Sequence, residues 1–176
     1  MMRNFLFIVA LMLLTGMTLF ADGGEGGVEA ALVTFTDARA GYSIGHPGTW
    51  TQDTSAKEGI RFVGGDDSLT AVIRTLPAGL TVLEFAKKDS PTVGRGFTGF
   101  QHLYFKRSID IRGAWILGFS ADESSVVTGK AYQAHDERYY IPLSNHRVGL
   151  VTVTGPKTHY DRQGFRDIAL TLKVSK

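Results

Sequence analysis

The segment Arg147-Val-Gly-Leu-Val-Thr-Val-Thr154 places Val148, Leu150, Val151 and Val153 on both faces of an extended chain. A strand that is apolar on both sides belongs inside a sheet whose two faces are each covered. Lys130 to Ile141 precedes it, and Pro142-Leu-Ser-Asn-His146 joins the two as an antiparallel hairpin. Further out, Leu69 to Thr75 is rich in β-branched residues, and Ile60 to Val63 precedes it across the turn Gly64-Gly65-Asp66-Asp67. Gln101 to Asp110 alternates, with Leu103, Phe105 and Ile109 on one face, and Gly113 to Ser120 follows after a very short connection as a hairpin partner. Arg107 interrupts that apolar face and sets this end at the sheet margin.

Two segments can cover such a sheet. Thr81-Val-Leu-Glu84 has capping-box spacing and predicts a short helix ending near Asp89, before Ser90-Pro91. A second helix starts near Thr158 or Asp161 and aligns Phe165, Ile168, Ala169 and Leu172 on one face. Ser90 to Gly99, with three glycines and a proline, reads as a loop. The expected fold class is therefore α+β: a single antiparallel sheet covered by helices, an α/β/α sandwich, over residues 31–176.

Ahead of this domain lies a different composition. Phe5 to Ala21 runs 17 residues without a charge after the basic start Met1-Met2-Arg3-Asn4. Such a segment is a signal peptide cleaved after Ala21, or an uncleaved hydrophobic helix that anchors the chain. As a helix it spans about 26 Å, slightly short of a ~30 Å hydrocarbon core. Both readings place the folded part outside the cytoplasm, periplasmic or secreted. Residues 22–30, with Asp-Gly-Gly-Glu-Gly-Gly at their start, read as a flexible tether.

The chain has 176 residues and no cysteine, which excludes a disulfide scaffold, a thiolate metal site, a cysteine nucleophile and a lipidated cysteine anchor. Without Arg3 the balance is 18 basic against 17 acidic residues, too even for nucleic-acid binding. The order of elements resembles the PsbP-like domains, in the superfamily shared by the photosystem II oxygen-evolving-enhancer protein and the Ran-binding nuclear import factor. The residues carrying the resemblance are Gly41-Tyr-Ser-Ile-Gly-His-Pro-Gly-Thr-Trp50, Gly59-Ile-Arg-Phe-Val63, the strand Leu69 to Thr75, and Thr81-Val-Leu-Glu-Phe85. Tyr139-Tyr140, Val151-Thr-Val-Thr-Gly-Pro156 and Asp161 with Phe165 and Ile168 complete it. The closing Leu170-Thr-Leu-Lys-Val-Ser-Lys176 departs from the Ser-Phe common in that family, and the photosystem role does not carry over. The resemblance implies an extracytoplasmic, non-catalytic accessory or binding module for a protein partner, in a membrane or envelope complex.

Residue patterns for catalysis are weak. The five histidines, at 46, 102, 135, 146 and 159, show neither His-x-His nor a helical i, i+4 pair, and no cofactor motif is present. His135-Asp136-Glu137 reads as a polar strand face, with His135 and Glu137 on one side and Asp136 on the other. No Gly-x-Ser-x-Gly elbow occurs, and Gly94-Arg-Gly96 runs into a strand where a phosphate loop needs a helix. Lys87, Lys88, Arg95, Lys106, Arg107 and Arg112 form a basic stretch that, if gathered on one face, would meet an acidic partner or an anionic membrane surface. The rival readings are a small-ligand carrier, marked by a deep apolar pocket, and a hydrolase. A histidine bonded to a carboxylate beside a serine would mark the hydrolase.

Overall fold

The computed structural model describes residues 31–174. The leader and the tether therefore lie outside the described residues, as does the hydrophobic helix expected there. Among the described residues no helix is long and apolar enough to cross a membrane.

The main sheet has seven antiparallel strands. They are β3 (Thr51–Gln52), β4 (Ile60–Gly64), β5 (Asp67–Thr75), β6 (Thr98–Arg107), β7 (Trp115–Ser124), β8 (Ala131–Leu143) and β9 (Arg147–Pro156), in the order β3-β4-β5-β9-β8-β7-β6. The segment at 147–154 is thus the middle strand, as its two apolar faces require. Val151 and Val153 enter one core with Phe62, Leu69, Tyr139 and Phe165. Val148 and Leu150 enter a second core with Ala86, Leu117, Phe119 and Tyr140. The β4–β5 turn closes on Gly65-Asp66, and Gly65 has φ +66°, a conformation glycine takes without a Cβ penalty.

Helix α1 (Val82–Val93) covers one face of the sheet. Thr81 caps it, accepting from the Glu84 amide while the Glu84 carboxylate accepts from the Thr81 amide at 2.8 Å. The helix does not stop at Asp89: it continues through Pro91 for another turn. Lys87 and Pro91 are both exposed, so the backbone carbonyl that Pro91 cannot serve faces water, while Val93 gains a buried site. A 3₁₀ turn at Gly94–Gly96 follows, and β6 begins at Thr98, so the segment expected as a loop is mostly ordered into elements.

The other face is covered by α2 (Arg162–Leu170) together with a second, three-stranded sheet. That sheet pairs β1 (Leu32–Asp37), β2 (Tyr42–Pro47) and β10 (Lys173–Val174) in the order β1-β2-β10. The expectation of a single sheet is therefore corrected. Tyr42 and Ile44 point into the Phe62–Phe165 core from β2, and the chain leaving α2 pairs back onto β2, so this layer builds a sheet of its own. β6 also departs from simple alternation. Leu103 is an extra, unpaired residue between His102 and Tyr104, so it is exposed, and Ile109 lies beyond the strand end.

Candidate functional site

The site is built on β8, where alternation sends neighbouring side chains to opposite faces. His135, Asp136 and Glu137 are all buried, which corrects their reading as a polar strand face. β8 lies second from the centre of the sheet, between β7 and β9, so both of its sides are covered.

Glu137 faces α2. The Tyr104 hydroxyl from β6 donates to Glu137 Oε1, and the Tyr139 hydroxyl donates to Oε2 at 2.5 Å. Arg162 Nε, in the first turn of α2, lies 3.4 Å from Oε1. Burial and the adjacent carboxylate push both tyrosine hydroxyls well above their usual range, so they remain donors. Gly118 makes this possible, because the Tyr104 ring lies across it where any Cβ would overlap the ring. His135 sits on the same side, its ring 4.3 Å from that of Tyr160, and burial lowers its pKa. His135 Nε2 and Ser120 Oγ, on directly opposed residues, each lack a hydrogen-bond partner, so no serine–histidine–carboxylate relay is formed there.

Outside Glu137 a cleft of about 240 Å³ opens between α2 and the end of β6. Lys106, Arg107, Arg162 and Arg166 line it, against the two carboxylates Glu137 and Asp110. Arg166 Nη1 is 3.4 Å from Asp110, whereas Lys106 and Arg107 pair with no carboxylate among the described residues. The Lys106 ammonium lies 4.5 Å from the Tyr104 ring centroid. Of the six basic residues singled out in the sequence, only Lys106 and Arg107 reach this cleft. Lys87 and Lys88 ride on α1 across the sheet, Arg95 is in the 3₁₀ turn, and Arg112 is exposed in the β6–β7 turn. Arg162 and Arg166 escape sequence reasoning because their relation to Lys106 is made by packing. Their i, i+4 spacing beside the apolar Phe165–Ile168–Ala169 stripe is the signal that places them on the sheet-facing flank of α2.

Asp136 faces the other way. Thr154 Oγ1 donates to its Oδ1 at 2.5 Å, but Oδ2 is buried without a partner. Burial, with Glu123 nearby, pushes its carboxyl up to about 7. Two residues on, Arg138 donates to Thr152 Oγ1 at 3.1 Å and to Asp89 of α1 at 3.0 Å, and the Tyr140 hydroxyl donates to the same Asp89 oxygen at 2.8 Å. Among the described residues no three histidine, aspartate or glutamate side chains converge as metal ligands would.

No protein-family model matches the chain, and no curated protein does. Solved structures do. Cyanobacterial PsbP from Synechocystis sp. PCC 6803 superposes with a TM-score of 0.58 at 19% identity, over 86% of this chain and 98% of that one. The chain has the PsbP-like fold. The Ran-binding protein Mog1p of Saccharomyces cerevisiae shares it, with a TM-score of 0.56 at 11% identity over 82% of this chain and 96% of its own. The PsbP-like fold agrees with the resemblance carried by the 41–50 and 151–156 segments, and it adds the second sheet to the architecture expected from sequence.

Proposed function

We propose that the chain is a non-catalytic binding module that works outside the cytoplasm and holds an acidic segment of a protein partner in the cleft beneath α2. The observation that carries this reading is the cleft lining, four cationic side chains against two carboxylates, with Lys106 and Arg107 unpaired among the described residues. A carboxylate-rich chain would complete those cations with charge-assisted hydrogen bonds. The name of the yeast structure, a Ran-binding protein, supports a protein as the partner. The uncharged Phe5 to Ala21 leader supports the location, and a membrane or envelope complex is the setting it implies. Lys87 and Lys88 on α1 and Arg95 in the 3₁₀ turn after it are exposed and away from the cleft, where they are available to an anionic membrane surface.

Capture from host membranes with three forms of the full chain tests the reading. The parent and a Lys87→Glu/Lys88→Glu form recover the same partner, and a Lys106→Glu/Arg107→Glu form loses at least about nine-tenths of it, a difference of roughly 1.4 kcal/mol or more. Recovery by all three forms alike overturns the assignment to the cleft.

A further inference from the structure

On the opposite side of the sheet, beside α1, four hydroxyls form a block. Ser68 pairs with Thr154 and Thr70 with Thr152 across β5 and β9, all facing the side that α1 covers farther along. The register extends the block to both sides. Asp136 of β8 pairs with Thr154, Arg138 of β8 with Thr152, and Arg61 of β4 with Thr70. These side chains line a recess of about 340 Å³, with Glu123 and the Phe97 ring on its border. That size lies at the small end of ligand pockets, which run roughly 300–1,000 Å³.

We propose that this recess binds a small neutral polyhydroxylated ligand, a single sugar ring or the terminal sugar of a glycan. The chemistry of the lining selects that class. Arg61 is already paired with Asp53 and Arg138 with Asp89, and Glu123 accepts from the Tyr132 hydroxyl, so neither a phosphate nor an amine finds an unpaired charge there. The Ser68, Thr70 and Thr152 hydroxyls can donate and accept, and Thr154 Oγ1, whose proton goes to Asp136, still accepts, so the lining disfavours an apolar occupant. A ring bearing several hydroxyls presents donors and acceptors together. One of its hydroxyls satisfies Asp136 Oδ2, which is buried and lacks a partner. The Arg138 guanidinium is held in place by Asp89 and Thr152, so its remaining donors are pre-positioned. Phe97 is partly exposed, and its ring centroid lies 5.7 Å from that of Phe119, giving an anchored aromatic surface for the C–H face of a sugar.

This site is independent of the cationic cleft, which lies across the sheet, so each stands or falls alone. Isothermal titration of the full chain with D-glucose, D-galactose, D-mannose and N-acetylglucosamine, and with their methyl glycosides, tests it. Sodium phosphate and putrescine serve as comparators. Thr70→Val and Phe97→Ala are the variants, since the first keeps a β-branched strand residue and the second alters an exposed loop position. At least one sugar gives saturable heat, each variant weakens it about tenfold or more, and the comparators give none. Equal binding of the methyl glycoside assigns the site to the end of a glycan, and loss of binding on methylation assigns it to a free sugar. Absence of heat with every sugar overturns the proposal. So does sugar binding unchanged in both variants, or phosphate or putrescine binding that Thr70→Val abolishes.

Discussion

Asp136 and Glu137 are adjacent on β8, point to opposite faces of the sheet, and each keeps about 1% of its surface exposed. Around Glu137 the fold supplies two tyrosine hydroxyls and a guanidinium. Around Asp136 it supplies one threonine hydroxyl and leaves the second oxygen bare. Burial therefore has different consequences one residue apart. On the α2 side both carboxylate oxygens are matched and the group ties β6, β8 and α2 together. On the α1 side desolvation dominates, and the carboxyl rises toward neutrality.

Removing the matched group has the larger effect. Glu137→Ala strands the Tyr139 hydroxyl, which is buried, and frees Arg162 from its contact on the sheet. Breaking a buried charged group of this kind costs about 3–5 kcal/mol. Urea denaturation is expected to show that loss, and Glu137→Gln, which keeps one acceptor oxygen, is expected to lose about half as much. Equal and small losses in both variants would mean that the tyrosine hydroxyls find other partners and that the two faces do not differ.

The second test concerns the unmatched group and has the opposite sign. The Asp136 carboxyl rises from 3.8 to about 7 on folding, so the folded state holds a proton across that interval that the unfolded chain has released. Stability from this group is therefore complete below pH ~4, falls by about 1.4 kcal/mol per unit as pH rises, and levels off above pH ~7. Asp67, pushed up to about 6 by burial, acts in the same direction, and His135, whose pKa burial lowers, acts oppositely below its unfolded value. Asp136→Asn removes only the first contribution. Relative to the parent, this variant is expected to gain on the order of 3 kcal/mol between pH 5 and pH 8. Thermal melts at both pH values measure it, and a difference that stays constant with pH would refute the contrast between the faces.

How much of this was readable beforehand follows from the range of the interactions. The middle position of β9, the β4–β5 hairpin and the Thr81 cap depend on residues within a few positions of each other, and period-two alternation and capping spacing report them directly. Alternation also assigned Glu137 and Asp136 to opposite sides. Their burial was missed because charged residues are mostly exposed, and what covers these two comes from afar: Tyr104 is 33 positions from Glu137, and Thr154 is 18 from Asp136. A clue was present in the hairpin itself, since a strand paired with a doubly apolar middle strand shares its cover. The bulge at Leu103 left no such trace, and it misdirected the alternation up to Leu103, while Tyr104 and Phe105 beyond it fall on the opposite faces expected.

That bulge bears on the smallest of the three effects. It resets β6 so that Tyr104 stands opposite Gly118 and its ring crosses the bare backbone on the way to Glu137. Gly118 does not have a positive φ, so alanine suits its backbone and would in isolation stabilise the strand by roughly 0.5–1 kcal/mol. The added methyl instead overlaps the Tyr104 ring and drives its hydroxyl off Glu137. A net loss of about 1–3 kcal/mol is expected for Gly118→Ala in the parent chain. In a Tyr104→Ala background the methyl meets no ring, and the same substitution is expected to be neutral or mildly stabilising. A double-mutant cycle with coupling near 2 kcal/mol places the cost in the tyrosine–glutamate contact. Additive effects would place it in the backbone of β7, and would remove Tyr104 from the set of groups that distinguish the Glu137 face from the Asp136 face.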